Sequence, residues 1–488
     1  ASVTSADFDL DTVSPSLKAV SPWAFFSPEG DGNQDVLPIT ITDCTEEELW
    51  TADVKNSSGK IVRKFTWKGK IRTASKDMFE WDGTDEAGNK VPDGTYSIVI
   101  HSEDRAGNSF STALQNIVLD TRETKIYLTA DYDGISPNGD GKVDSQIFRV
   151  SSSVKEGILS WKFDVRSENG ASVRSWSNDD SPNLPAQIIW DGLDSSGKVA
   201  EGTFSGTLSV VYKKGNKVDT VSAPFVCTAI PPILTVQTAP EYFSPDNDGS
   251  EDDLFIKLSG SSKAPIKEWS FVITDPYGKP FWTTGGKTSI TERMVWDGLS
   301  NVQKNKNGRA ERVQSATDYP YNFTVSDTLG MTTTVTGKIR VDVLVIRDGS
   351  VLKMAVPSII FRSDAADFNT TGARPLSAEQ ARNNEIVLNR IAEILNKFKD
   401  YRVTIVGHAN RLTDNEAEET TDNPNLWGPA LQPLSAARAE YVKQYLVKKG
   451  INAARLTTEG KGGSELVVDF RDKDNNWKNR RVEFILEK

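Results

Sequence analysis

Phe26-Ser27-Pro28-Glu29-Gly30-Asp31-Gly32, with Asp35 behind it, returns as Ile135-Ser136-Pro137-Asn138-Gly139-Asp140-Gly141 with Asp144. It appears again as Phe243-Ser244-Pro245-Asp246-Asn247-Asp248-Gly249 with Asp252. A repeat at one period of about 108 residues fixes the architecture before any local reading is made. Nine of the twelve tryptophans follow the same period: Trp50, Trp161 and Trp269; Trp67, Trp176 and Trp282; Trp81, Trp190 and Trp296. The last three open Trp81-Asp82-Gly83, Trp190-Asp191-Gly192 and Trp296-Asp297-Gly298.

Within each copy, β-branched and aromatic residues alternate with polar ones, as in Trp161-Lys162-Phe163-Asp164-Val165. Turn signals such as Ser58-Gly59, Asn169-Gly170 and Tyr277-Gly278 bound these runs. A unit of this size with about seven short strands is a β-sandwich of immunoglobulin type. The expectation is three in tandem over residues 1–122, 123–231 and 232–342. The tryptophans are expected as core anchors rather than a sugar-stacking surface, because large aromatics recurring once per copy suit a sandwich core. In the third copy the stretch from Asn301 to Asp318 replaces a shorter ending and predicts an enlarged hairpin. The Trp-Asp-Gly to Asp-Gly-Thr-Tyr pattern resembles the Ig-like domain of flagellar hook-capping proteins. The Ser-Pro-x-Gly-Asp-Gly pattern resembles repeats of secreted gliding-motility proteins. Both resemblances imply scaffold modules.

The acidic loops allow two readings. Asp31, Asn33 and Asp35, and likewise Asp246, Asp248 and Asp252, have the oxygen spacing of a calcium loop. Lys142 at the middle position of the second copy opposes a cation, and no distal glutamate completes an EF-hand frame. The alternative, which we favour, is that these side chains cap tight turns.

Beyond Val341-Asp342 the period changes from two to 3.6. Leu388, Ile391, Leu395 and Phe398 share one face of a helix predicted from Glu379 to Lys399. A strand from Tyr401 to Val406, a second helix capped by Ser435 and ending at Gly450, and a strand from Arg481 to Leu486 follow. The fold class is therefore multidomain: tandem all-β Ig-like sandwiches followed by an α/β sandwich over 343–488. Ile405-Val406-Gly407-His408, Leu434-Ser435-Ala436-Ala437-Arg438-Ala439, Gly460-Lys461-Gly462 and Asn479-Arg480-Arg481-Val482 occur in the order of the OmpA C-terminal signature. This domain resembles that peptidoglycan-associated family. The resemblance implies that an Asp after the Gly-His stem and the Arg of the second helix clasp the charged end of diaminopimelate. Here Arg438 keeps the arginine, but Asn410 stands where the carboxylate belongs. Losing a charge-assisted partner of that kind costs ~1.5–3 kcal/mol, about 10- to 150-fold in affinity. The stem-peptide candidates are thus Asn410, Arg438 and Arg480. Arg480 and Arg481 are expected to brace the last strand more than to touch ligand. An acidic insert, Asp414-Asn415-Glu416-Ala417-Glu418-Glu419, and Trp427 lengthen the loop between Asn410 and Leu434.

Composition narrows the function further. A net charge of −11 argues against nucleic acid or an anionic membrane as partner. No apolar run reaches the length of a membrane helix. The chain opens on Ala1 with no leader, which reads as a mature or trimmed form. Cys44 and Cys227 fall in different repeats, which argues against a disulfide between them. With His101 and His408 as the only histidines, and no zinc cluster or phosphate loop, no enzyme and no cofactor are expected. The expected protein is periplasmic or outer-membrane-associated and non-catalytic. Its peptidoglycan binding is impaired, and its Ig-like units dock other envelope proteins. An anchor for an altered stem peptide and a surface adhesin are the alternatives. The combination of modules is similar to that carried in spirochaete envelopes.

Overall fold

The computed structural model describes residues 10–71, 79–305, 307–426 and 428–488. Trp427 lies outside the described residues. The chain forms two compact units, Ala1–Ala229 and Ile230–Lys488.

The first unit contains two β-sandwiches. One has a five-stranded sheet in the order Phe25–Phe26, Ser109–Leu119, Gly94–Glu103, Glu47–Asn56, Ile61–Gly69. Its second sheet is Lys18–Val20, Leu37–Thr42, Phe79–Trp81. Alternate residues of both sheets, among them Phe26, Ile39, Trp50, Trp81, Ile98 and Ile100, form one apolar cluster. The next sandwich repeats the plan with a six-stranded and a three-stranded sheet around Phe148, Phe163, Trp190 and Leu208. A third, in the second unit, packs around Phe243, Phe271, Trp296 and Phe323. Its extra hairpin, Leu299–Lys304 with Ala310–Arg312, fills the stretch where an enlarged one is predicted. In every sandwich a two-residue second strand lies parallel to the last: Phe25–Phe26 on Ser109–Leu119, Gly134–Ile135 on Phe225–Cys227, and Tyr242–Phe243 on Thr332–Val341.

The two repeated motifs explain each other. Each Trp-Asp-Gly indole donates to the carbonyl three residues on, Trp81 to Thr84 at 3.0 Å, Trp190 to Leu193 at 2.7 Å and Trp296 to Leu299 at 2.9 Å. The glycine takes φ near +74°, which favours glycine. A Cβ there would come within 2.8 Å of Pro28, or 2.7 Å of Pro137 or Pro245. The Ser-Pro turn of each repeat therefore sits directly on its Trp-Asp-Gly turn.

Trp50, Trp161 and Trp269 are buried as expected, and Trp67, Trp176 and Trp282 pack partly buried against the same cores. These last three do not share one register, however. Trp67 faces Trp50, Trp176 faces Phe163 and Trp282 faces Ile273. Relative to the first tryptophan set the facing residue advances by an even number, so all three indoles keep the inner side of the pleat. Cys44 and Cys227 are not joined in a disulfide.

The carboxy-terminal domain comprises β1 (Ile346–Asp348), β2 (Val351–Val356), α1 (Ala378–Lys397), β3 (Arg402–Gly407), α2 (Leu431–Lys448), β4 (Leu456–Gly460) and β5 (Val482–Glu487). The sheet order is β1-β2-β5-β3-β4, with β3 and β4 parallel and the other pairs antiparallel. The α1 start is set by a capping box between Ser377 and Gln380. Ser435 does not cap α2. That helix begins one turn earlier, at Leu431, behind Ala430, which makes no side-chain cap bond. Pro433 is tolerated in the first turn, where its missing N–H is an orphan anyway. Ser435 is fully buried inside the helix. Its hydroxyl donates to Gln432 O and accepts from Gly462 N–H at 2.9 Å, tying α2 to the loop after β4.

Candidate functional site

The sandwich loops come first. Asp35 does not point an empty carboxylate at solvent: it accepts from Gly30 N–H at 2.6 Å and Gly32 N–H at 2.8 Å. Asp144 and Asp252 accept from the equivalent backbone groups, and Asn33 N–H donates to Asp31. These bonds cap the turns. The carboxylates of Asp246, Asp248 and Asp252 do lie within 4.8 Å of one another, yet Asp246 Oδ2 is engaged by Val345 N–H at 3.0 Å. That bond fastens the carboxy-terminal domain to the third sandwich. A similar joint occurs in the first unit, where Asn216 Nδ2 of the second sandwich donates to Glu29 and Asp31 at 3.0 and 2.9 Å.

In the carboxy-terminal domain, β3 delivers Gly407-His408, α2 delivers Arg438, and the short helix Asn476–Asn479 delivers Trp477 and Arg480. They converge on a cleft of about 250 Å³, also lined by Phe361, Arg481 and, from the third sandwich, Tyr277. Arg438 donates to the carbonyls of Ala365 at 3.0 Å and Arg362 at 3.3 Å and lies over the Phe361 ring. Burial pushes its guanidinium down to about 10, so it remains a cation at neutral pH. Arg480 is exposed at the rim. Arg481 braces β5 as expected, donating to Glu483 at 2.7 Å and to Glu465 O at 3.2 Å. Burial pushes the Glu483 carboxyl up, but His408 and Arg481 outweigh it and hold it down at about 2.

Asn410 does not line this cleft. Its amide donates to Arg411 O at 2.7 Å and its carbonyl accepts from Asn479 Nδ2 at 2.8 Å. Asn479, fully buried, also accepts from Val467 and Val468 N–H and donates to Val468 O. The two amides form a satisfied internal pair that pins the segment before the last strand. Arg438 and Arg480 are thus brought together, and Asn410 is turned elsewhere.

The acidic insert also has a role that its composition hides. Glu418 is fully buried and accepts from Leu412 and Thr413 N–H, while Glu419 accepts from Arg411 Nε at 2.9 Å and from Gly463 N–H. These two carboxylates are internal braces of the loop.

The third sandwich and this domain belong to one unit, and their contacts flank the cleft. Asp342 takes a bidentate bond from Arg390, with the shorter arm at 2.7 Å. Lys279 pairs with Asp474 at 2.5 Å, and Glu311 with the buried Lys478. The Tyr277 ring packs on Trp477 with centroids 4.7 Å apart, and the charge of Arg480 acts on its hydroxyl. A larger cleft of about 900 Å³ lies on the other side of this joint, but its buried charges, Lys478 with Glu311 and Arg481 with Glu483, already satisfy each other. The smaller cleft is the candidate site. The part supplied by Tyr277 carried no sequence signal beyond a turn.

Both kinds of module are similar to known families. Residues 377–480 match the OmpA family and residues 39–106 the FlgD Ig-like domain. The peptidoglycan-binding protein ArfA of Mycobacterium tuberculosis is 35% identical over 100 residues, which is 20% of this chain and 27% of that protein. Outer membrane porin F of Pseudomonas fluorescens is 29% identical over 121 residues, 25% of this chain and 31% of that one. The chain thus spans about a third or less of the length of these curated relatives. Among solved structures, the cell wall anchor of the T6SS from Pseudomonas aeruginosa is 25% identical, with a TM-score of 0.23, covering 30% of this chain and 87% of that one.

Proposed function

From a chain that carries an OmpA domain behind a FlgD Ig-like domain, we propose a non-catalytic protein of the bacterial cell envelope whose cell-wall pocket keeps only half of the diaminopimelate clasp. One observation carries this reading. The residue at the carboxylate position, Asn410, is locked to Asn479 and Arg411, while Arg438 contacts carbonyls and an aromatic ring and no carboxylate. An ammonium needs an anionic partner to offset its desolvation, and no unpaired carboxylate lines the cleft. The three sandwiches act as spacers and docking surfaces, since their Ser-Pro loops serve as joints between modules at two places. The peptidoglycan binding named for ArfA supports the choice of ligand.

A second reading, an anchor for a stem peptide with a different terminus, is favoured by the cationic cleft that remains open beside Arg438 and Arg480. Calorimetric titration of the full chain with diaminopimelate, together with co-sedimentation with peptidoglycan sacculi, tests both. Diaminopimelate is expected to bind about 10- to 150-fold more weakly than to a complete clasp. Tight binding would overturn the half-clasp reading.

A further inference from the structure

The cleft is not built by one domain. Tyr277 arrives on the turn between strands Ile266–Thr274 and Pro280–Lys287 of the third sandwich. The turn is stiff: Asp275 accepts from Tyr277 N–H at 2.9 Å and Lys279 N–H at 3.0 Å, and Gly278 N–H returns to Asp275 O. Its place against the carboxy-terminal domain is set by the flanking pairs Lys279–Asp474 and Glu311–Lys478. Tyr277 is 57% exposed whereas Trp477 beneath it is 6% exposed, so the phenol forms a wall of the cleft and leaves its mouth open.

The charge inside is one-sided. Among the described residues no carboxylate lines the cleft with Arg438 and Arg480; Asp364, whose charge acts on Arg438 from outside the lining, is paired with Arg374 at 2.8 Å. Glu483, which follows Val482 of the lining but lies outside it, is paired with Arg481 at 2.7 Å and lies 3.7 Å from the His408 ring. Nδ1 of His408, which is 3% exposed, lacks a hydrogen-bond partner, and its Nε2 faces Glu483.

We infer that this is a composite site in which Tyr277 of the third sandwich and Arg438 and Arg480 of the carboxy-terminal domain hold a free carboxylate, with no subsite for an ammonium. The inference rests on the peptidoglycan reading above and names the ligand class for it: the carboxylate end of a stem peptide, whatever its amine. Holding Tyr277 in place makes ligand affinity depend on the joint between the two domains.

The test uses the full chain and three muropeptides differing at the diamino acid: unmodified, side-chain amine acetylated, and side-chain carboxyl amidated. Acetylation is expected to change affinity less than about 2-fold and amidation to weaken it about 10-fold or more. Tyr277→Phe, which keeps the ring on Trp477 and removes the hydroxyl, is expected to weaken the first two ligands about 3- to 10-fold, in line with one net hydrogen bond. Tyr277→Ala should weaken them further, with unchanged melting of the second unit, which carries Tyr277, as the folding control. A 10-fold loss on acetylation would overturn the carboxylate assignment, and equal affinity of wild type, Tyr277→Phe and Tyr277→Ala would overturn the composite site. If no muropeptide binds the wild type, the peptidoglycan reading fails and the inference falls with it.

Discussion

Restoring the family carboxylate by Asn410→Asp is the obvious way to rebuild a diaminopimelate clasp, and the structure predicts that it costs stability instead. Asn410 is 8% exposed, and its Nδ2 donates at 2.7 Å to Arg411 O. An ionised Asp keeps the acceptor for Asn479 Nδ2 but places a second anionic oxygen against that carbonyl. A lost hydrogen bond plus a buried acceptor left without a donor amounts to roughly 1–3 kcal/mol. Because the folded state disfavours the ionised form, the carboxyl's pKa there rises above its unfolded value near ~3.9. The penalty is therefore present at neutral pH and shrinks as pH falls through the raised value, where a protonated Asp can donate to Arg411 again. Urea unfolding of variant and wild type, followed at pH 7 and pH 4.5 by a probe in the carboxy-terminal domain, reads this directly. Equal stability at pH 7, or a gap that widens on acidification, would refute the reasoning. It would mean that position 410 swings freely toward the cleft.

Three further outcomes are expected. Gly192→Ala puts a Cβ 2.7 Å from Pro137 at φ +75° and should cost about 2–4 kcal/mol from strain and overpacking, whereas Gly197→Ala, with nothing within 4 Å at φ +80°, should cost about 1–2 kcal/mol; thermal melts of the two distinguish them. Glu483, held at about 2, contributes stability that is complete above its ordinary value near 4.5 and is lost as pH falls through 2; circular dichroism on acidification should show Glu483→Gln losing this dependence. At the joint, Glu311→Gln strands the buried Lys478 and should cost ~3–5 kcal/mol. Asp474→Asn, in a pair with side chains 40% and 64% exposed, should cost at most ~1 kcal/mol by the same unfolding assay.

What the sequence made legible follows the range of the forces involved. Local periodicity placed α1 within two residues and β3 and β5 within one, because each carries its own apolar stripe. Leu456-Thr457-Thr458-Glu459-Gly460 has one buried anchor, Leu456, and pairs in parallel at the sheet edge, so β4 left no alternating signal. Ser435 looked like a cap because its residue type suits one. Only the approach of Gly462 shows that its hydroxyl serves a tertiary contact. For the site, the family spacing located Arg438 and Arg480. The orientation of Asn410 depends on Asn479, 69 residues away, and Tyr277 reaches the cleft from another domain. Neither relation is a pattern along the chain.

The parallel pairing of the second and last strands in each sandwich bears on how a tether would carry mechanical load. Tension applied at the two ends of such a module slides the paired strands along each other, so their ladder bonds are loaded together instead of opening one after another. Rupture is then governed by the unfolding rate rather than by equilibrium stability. A row of such modules under tension would resist extension up to a threshold and then yield one module at a time.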